Sequence, residues 1–102
     1  DIVKAIACGA DAVMLGTVLA RAAEAPGRGW HWGSEAVNAK LPRGQRVWVG
    51  SDGPLKSILL GPADVASGTA NLIGALKRSM ATTGYSDLKE FQKVDVVVNS
   101  YR

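Results

Sequence analysis

An α/β fold is predicted by residues 1–23 of this 102-residue chain, on three observations taken together. Ile2, Ile6 and Ala10 recur every four residues with Val3 and Ala7 beside them, the stripe of an amphipathic helix. Ala12, Val13, Met14 and Leu15 then form an uninterrupted apolar run, too short for a helix and without the alternation of a half-exposed strand. That pattern belongs to a parallel strand covered on both faces. Gly16-Thr17 follows at once, and residues 18–23 are alanine-rich and helix-prone. Helix, buried strand, tight turn and helix make one α/β unit.

Within that unit Asp1 favours the helix N-terminus electrostatically, and Gly9 stands where a helix would stop. From residue 26 to 52 the texture changes to Gly, Pro, Arg and all three Trp, with one short strand candidate at 46–49. Loops of that length are uncommon unless functional. A turn at 50–53 leads to Pro54, and Leu55, Ile58 and Leu59 predict a short helix with proline in its first turn. Gly61-Pro62 restarts the chain. Leu72, Ile73, Leu76 and Met80 recur at helical spacing and Gly84 supplies a left-handed stop, so the main helical region is expected over 63–83 with Leu76 and Met80 in the core. Ser86 is the expected N-cap of a last short helix carrying Leu88 and Phe91, and the tail at 94–98 is β-prone.

Hydrophobic residues make up 47% of the chain and charged residues 21%, a globular composition. The net charge of +3 comes from twelve Lys and Arg scattered among nine Asp and Glu, whereas a nucleic-acid footprint is clustered. No nucleic-acid partner is expected. One cysteine cannot close an internal disulfide, and no Cys/His cluster has zinc-ligand spacing, so a reducing, cytoplasmic compartment is expected. No apolar run approaches the roughly 20 residues of a membrane helix and the first residues lack a signal peptide's pattern, so no membrane partner is expected either.

A glycine at the C-terminal end of a strand lets anion oxygens approach the N–H groups of the next helix, and Thr17 could add a hydroxyl donor. The same Gly16-Thr17 also serves as a plain turn with an N-cap. Trp30 and Trp32 either pin a loop as an aromatic cluster or line a ligand, and His31 is either a surface residue or a ligand. Cys8 falls on the edge of the first helix's apolar stripe and is expected as a buried structural thiol, because a reactive cysteine needs an accessible, electropositive setting. Lys77 and Arg78 are expected on a solvated helix face, with weak phosphate binding the lesser alternative. The acidic side chains form no pair suited to acid–base work, and one histidine builds no Ser/His/Asp arrangement.

The run DIVKAIACGADAVMLGT, with EAPG at 24–27, resembles the end of the catalytic barrel of the IMP dehydrogenase and GMP reductase family. APGRGWHWG, LPRGQRV and LIGALKRSMATTGYSDLKEFQKV are similar to an actinobacterial or cyanobacterial branch of that family. The resemblance implies that residues 1–102 are the C-terminal part of one TIM (β/α)8 domain: seventh helix, eighth strand, a flap-like insertion at 26–53, eighth helix. A parallel strand needs neighbours on both sides, which agrees with a sheet completed elsewhere.

By the same resemblance the whole enzyme oxidises IMP to XMP with NAD and water, through a cysteine thioimidate on a residue upstream of this segment, and is a homo-oligomer, commonly a tetramer. This chain would then hold substrate rather than break bonds, and alone would be inactive. Gly16 and Thr17 are implied at the phosphate, the EAPG context favouring the anion over the bare turn. His31 stands in place of a phosphate-contacting tyrosine, and Gly33 and Gly44 are implied at the base. Ser34 and Glu35 replace the family's Met and Gly, and Arg43 replaces an acid. A guanidinium only donates, so Arg43 cannot accept a purine N1–H; it faces phosphate or cofactor, or is solvated. Arg46 has no neighbouring tyrosine to form the family's water-activating pair and is not given that role. The alternatives are an NADPH-dependent GMP reductase, a non-catalytic nucleotide-binding homologue, and a free-standing small α/β binding domain.

Overall fold

The computed structural model of the chain describes residues 1–32 and 46–100. Its elements are α1 (Ile2–Ala7), α2 (Thr17–Ala20), β1 (Trp30–His31), β2 (Val47–Trp48), α3 (Leu55–Leu60), α4 (Leu72–Thr82) and α5 (Leu88–Phe91). They fall into two compact units, Asp1–Met14 with Ile73–Arg102, and Leu15–Leu72.

In the first unit α1 packs on α5. Ile6 of the predicted stripe is buried, as is Phe91, which Tyr85 meets edge-on at 5.8 Å. Gly9 ends α1 as its sequence position predicts. At φ +103 it donates its N–H to the Ile6 carbonyl while Ala10 donates to Ala5, the paired bonds of a Schellman stop. Gly84 ends α4 in the same way, with Gly84 donating to Ala81 and Tyr85 to Met80. Lys89 and Gln92 tie α5 to the residues just after α1: Lys89 Nζ lies 2.6 Å from Asp11 and Gln92 Nε2 donates to the Ala10 carbonyl at 2.9 Å.

Several expectations are corrected here. The N-cap of α5 is Asp87 rather than Ser86, its carboxylate accepting the Glu90 N–H at 3.1 Å; an anion complements the helix N-terminus better than a hydroxyl. Cys8 is exposed at the C-cap of α1, because the stop at Gly9 takes it out of the helix. Leu76 and Met80 are half-buried, and α4 has no buried residue. The tail at 94–98 forms no strand, with Val97 and Val98 exposed, and residues 12–15 form none either, leaving Met14 98% exposed. A parallel strand exists only through its neighbours, and no described segment pairs with this one.

In the second unit α2 is shorter than the helix expected over 18–23: Arg21 is its C-cap, and Ala22 leaves to form a parallel bridge with Gly53. β1 and β2 pair antiparallel, Trp30 opposite Trp48 and His31 opposite Val47. The excursion over 26–53 therefore leaves and returns on one two-stranded ribbon. Pro54 sits one position outside the first turn of α3, as an extended N-cap, and Glu24 Oε2 accepts the Leu55 N–H at 2.7 Å. Ile58 of α3 is fully buried, and α2 packs against both α3 and β1. The helix expected from 63 begins only at Leu72, because Gly68 (φ +76) and Asn71 (φ +56) adopt left-handed backbone that no right-handed helix accommodates.

Candidate functional site

Gly16 is the N-cap of α2, and its carbonyl accepts the N–H groups of Leu19 and Ala20 at 3.1 and 3.0 Å. Thr17 is the exposed first residue of the same helix. From β1 the half-buried His31 reaches toward them: its Nε2 lies 3.8 Å from where a Cβ on Gly16 would stand. Glycine leaves that space open, so an imidazole and an exposed backbone corner, with Thr17 next in the chain, border one vacant position. Three residues singled out in the sequence are thus brought together, 14 to 15 positions apart along the chain.

Beside this corner lies a cleft of about 390 Å³ lined by Ala20, Ala25, Pro26, Gly27, Trp30, His31 and Trp32. Small-molecule sites run from about 300 to 1,000 Å³, so the cleft is of ligand size. Its floor is the EAPG turn, a succession of tight bonds in which Ala25 donates to Ala22, Arg28 to Ala25 and Trp30 to Gly27. A Cβ on Gly27 would collide with the Trp30 carbonyl oxygen, which explains glycine there. The Trp30 indole is held from two directions. Trp48 meets it edge-on with centroids 5.3 Å apart, and the Arg46 guanidinium stands 4.5 Å from its ring centroid. Arg46 is thereby placed on an aromatic face.

The base of the excursion is clasped by contacts with no signature in the residue pattern. The Arg21 guanidinium forks onto Asp52, Nε to Oδ2 at 2.6 Å and Nη2 to Oδ1 at 2.7 Å, while the Asp52 N–H donates to the Arg21 carbonyl at 2.8 Å. Hydrogen bonding to Asp52 raises the Arg21 pKa above its ordinary value, so the guanidinium stays charged. Ala23 donates to the Gly53 carbonyl at 2.8 Å, next to the Glu24–Leu55 bond. Partners 31 residues apart leave no periodic signal, so Arg21 and Asp52 were not legible as a pair.

Gly33 and Gly44, expected at the base, and Ser34, Glu35 and Arg43 beside them, lie outside the described residues. Cys8 belongs to the other unit. Among the described residues no group of three or more His, Cys, Asp and Glu is arranged to hold a metal, and no helix is long and apolar enough to cross a membrane.

Known proteins resemble this chain over the same segment. A family model for the IMP dehydrogenase / GMP reductase domain matches residues 1–51, which include Gly16, Thr17, the EAPG turn and His31. An uncharacterized oxidoreductase of Mycolicibacterium smegmatis is 55% identical over 98% of this chain and 27% of its own length. One of Mycobacterium leprae is 54% identical over 97% of this chain and 27% of its own. The crystal structure of an IMP dehydrogenase/GMP reductase-like protein from Corynebacterium glutamicum superposes with a TM-score of 0.83 and 50% identity, covering 96% of this chain and 26% of that one. The class is therefore that of oxidoreductase homologues, represented here by a small mixed helix and strand structure. The chain belongs to the IMP dehydrogenase / GMP reductase family. It spans about a quarter of the length of the curated relatives it matches.

Proposed function

We propose that this chain is the C-terminal, substrate-holding part of a (β/α)8 enzyme that oxidises IMP to XMP, with NAD+ accepting hydride from the purine C2 and water supplying the new oxygen. In this assignment the Gly16-Thr17 corner and His31 hold the 5′-phosphate, and the base lies along the cleft walled by Trp30 and Trp32. The bond-breaking groups belong to the rest of the enzyme. The observation that carries the assignment is the approach of His31 Nε2 to within 3.8 Å of the open side of Gly16. An imidazole beside a vacancy where no side chain projects, at the Gly16-Thr17 start of a helix, suits a phosphate oxygen. The cleft of about 390 Å³ is of a size to take part of a mononucleotide.

Gly16→Asp tests the assignment, because its side chain would fill the vacancy and set a carboxylate against the phosphate. In the full-length protein this variant is expected to abolish IMP binding measured by calorimetry. Unchanged affinity rejects the site. Turnover assays that follow reduced nicotinamide, with IMP and NAD+ in one arm and GMP and NADPH in the other, decide the direction. Turnover only of GMP with NADPH would make the enzyme a reductase while leaving the nucleotide corner in place.

A further inference from the structure

One side-chain contact in this unit that nucleotide binding leaves unused is the fork of Arg21 on Asp52, at 2.6 and 2.7 Å, with the Asp52 side chain only 16% exposed. Its place in the fold is specific. Arg21 is the C-cap of α2, the helix that begins at Gly16, and Asp52 follows β2, in which Val47 is the register partner of His31. The two residues thus join the helix that supplies one half of the phosphate corner to the ribbon that supplies the other. Backbone bonds from Asp52 to the Arg21 carbonyl and from Ala23 to the Gly53 carbonyl set the spacing of the two segments at the main chain. Two parallel bonds between planar groups fix the angle between helix and ribbon as well.

We infer that Arg21 and Asp52 are a positioning pair that holds His31 against the open side of Gly16, and so set the affinity for a nucleoside monophosphate through its phosphate. The inference rests on the nucleotide assignment above. Arg21 is 35% exposed, and a pair this open contributes little to global stability, so its effect falls on geometry.

The test uses the full-length protein, with IMP and its phosphate-free counterpart inosine as ligands in calorimetry and competition, and thermal melting as the control for folding. Asp52→Asn is expected to weaken IMP by about tenfold, equivalent to losing one charge-assisted hydrogen bond, and to leave inosine unchanged. Arg21→Lys keeps the charge but not the fork, and is expected to show the same selective loss. Unchanged IMP affinity in both variants overturns the inference, as does an equal loss for IMP and inosine, which would mark the pair as merely structural. A wild-type protein that binds no IMP overturns the nucleotide assignment itself.

Discussion

Gly29 lies where local geometry leaves no latitude. Its φ is +94, its carbonyl accepts the N–H groups of both Val49 and Gly50, and a Cβ there would stand 2.5 Å from the Trp48 ring. Gly29→Ala therefore meets backbone strain and a clash with a side chain that is itself packed on Trp30. Trp48 must move, and with it the edge-on contact that steadies the cleft wall. The expected result in the full-length protein is a destabilisation of about 1–3 kcal/mol, read as a lowered melting temperature with faster hydrogen exchange at the Val49 amide. Unaltered exchange at Val49 would contradict it. In sequence Gly29 is one of a crowd of glycines, and only the approach of β2 makes it different. Gly16, His31, Arg21 and Asp52 divide in the same way. The first two could be singled out because a glycine after an apolar run and a lone imidazole are chemically conspicuous, whereas the ion pair has meaning only once the excursion has closed.

At the scale of elements, what is local was legible and what is not local was not. The stops at Gly9 and Gly84 were foreseen, because each depends on one residue's freedom to take positive φ and on bonds within the preceding turn. The start of α5 was displaced by a single residue. The strand expected over 12–15 did not form, because its bonds must come from another segment, and the partner of β2 carried no strand pattern of its own. The link from α5 to the end of α1 is likewise nonlocal, and it makes a pH prediction. Hydrogen bonds from Lys89 and Gln92, with the Lys89 charge, hold the Asp11 carboxyl below its ordinary value. A carboxyl whose pKa is lower folded than unfolded stabilises the folded form above its ordinary value, near 3.9, and the contribution is lost as the pH falls through the lower folded value. Protection of the α5 amides against exchange is therefore expected to weaken as the pH drops from about 5 to about 3, and Asp11→Asn to remove that dependence. The same slope in wild type and variant would show that the contact does not couple to α5. Both side chains are largely exposed, so the change is local rather than global.

At the scale of the whole molecule the question is whether this polypeptide can sustain a fold. Among the described residues the buried apolar side chains are Ile6 and Phe91 in one unit and Ala22 and Ile58 in the other. Cooperative unfolding requires that burial of apolar surface offset the ordering of the whole backbone, and residues this few in each unit do not offer it. The isolated chain is therefore expected to lose its circular dichroism gradually in denaturant; a steep transition would contradict the assignment to a larger barrel. Met14 separates the two cases more sharply. If the 102 residues were self-sufficient, Met14→Asp would be a surface change within about 0.5 kcal/mol, since the side chain is 98% exposed. If the apolar run at 12–15 is the interior strand that its composition describes, the same substitution in the full-length protein places a carboxylate inside a closed sheet, at a cost of at least about 3 kcal/mol. A large fall in melting temperature for the full-length Met14→Asp variant, with no comparable effect on the isolated chain, is the expected pair of results. A full-length variant that melts like the wild type would mean that nothing covers Met14, and the nucleotide corner would then have to be explained without a barrel behind it.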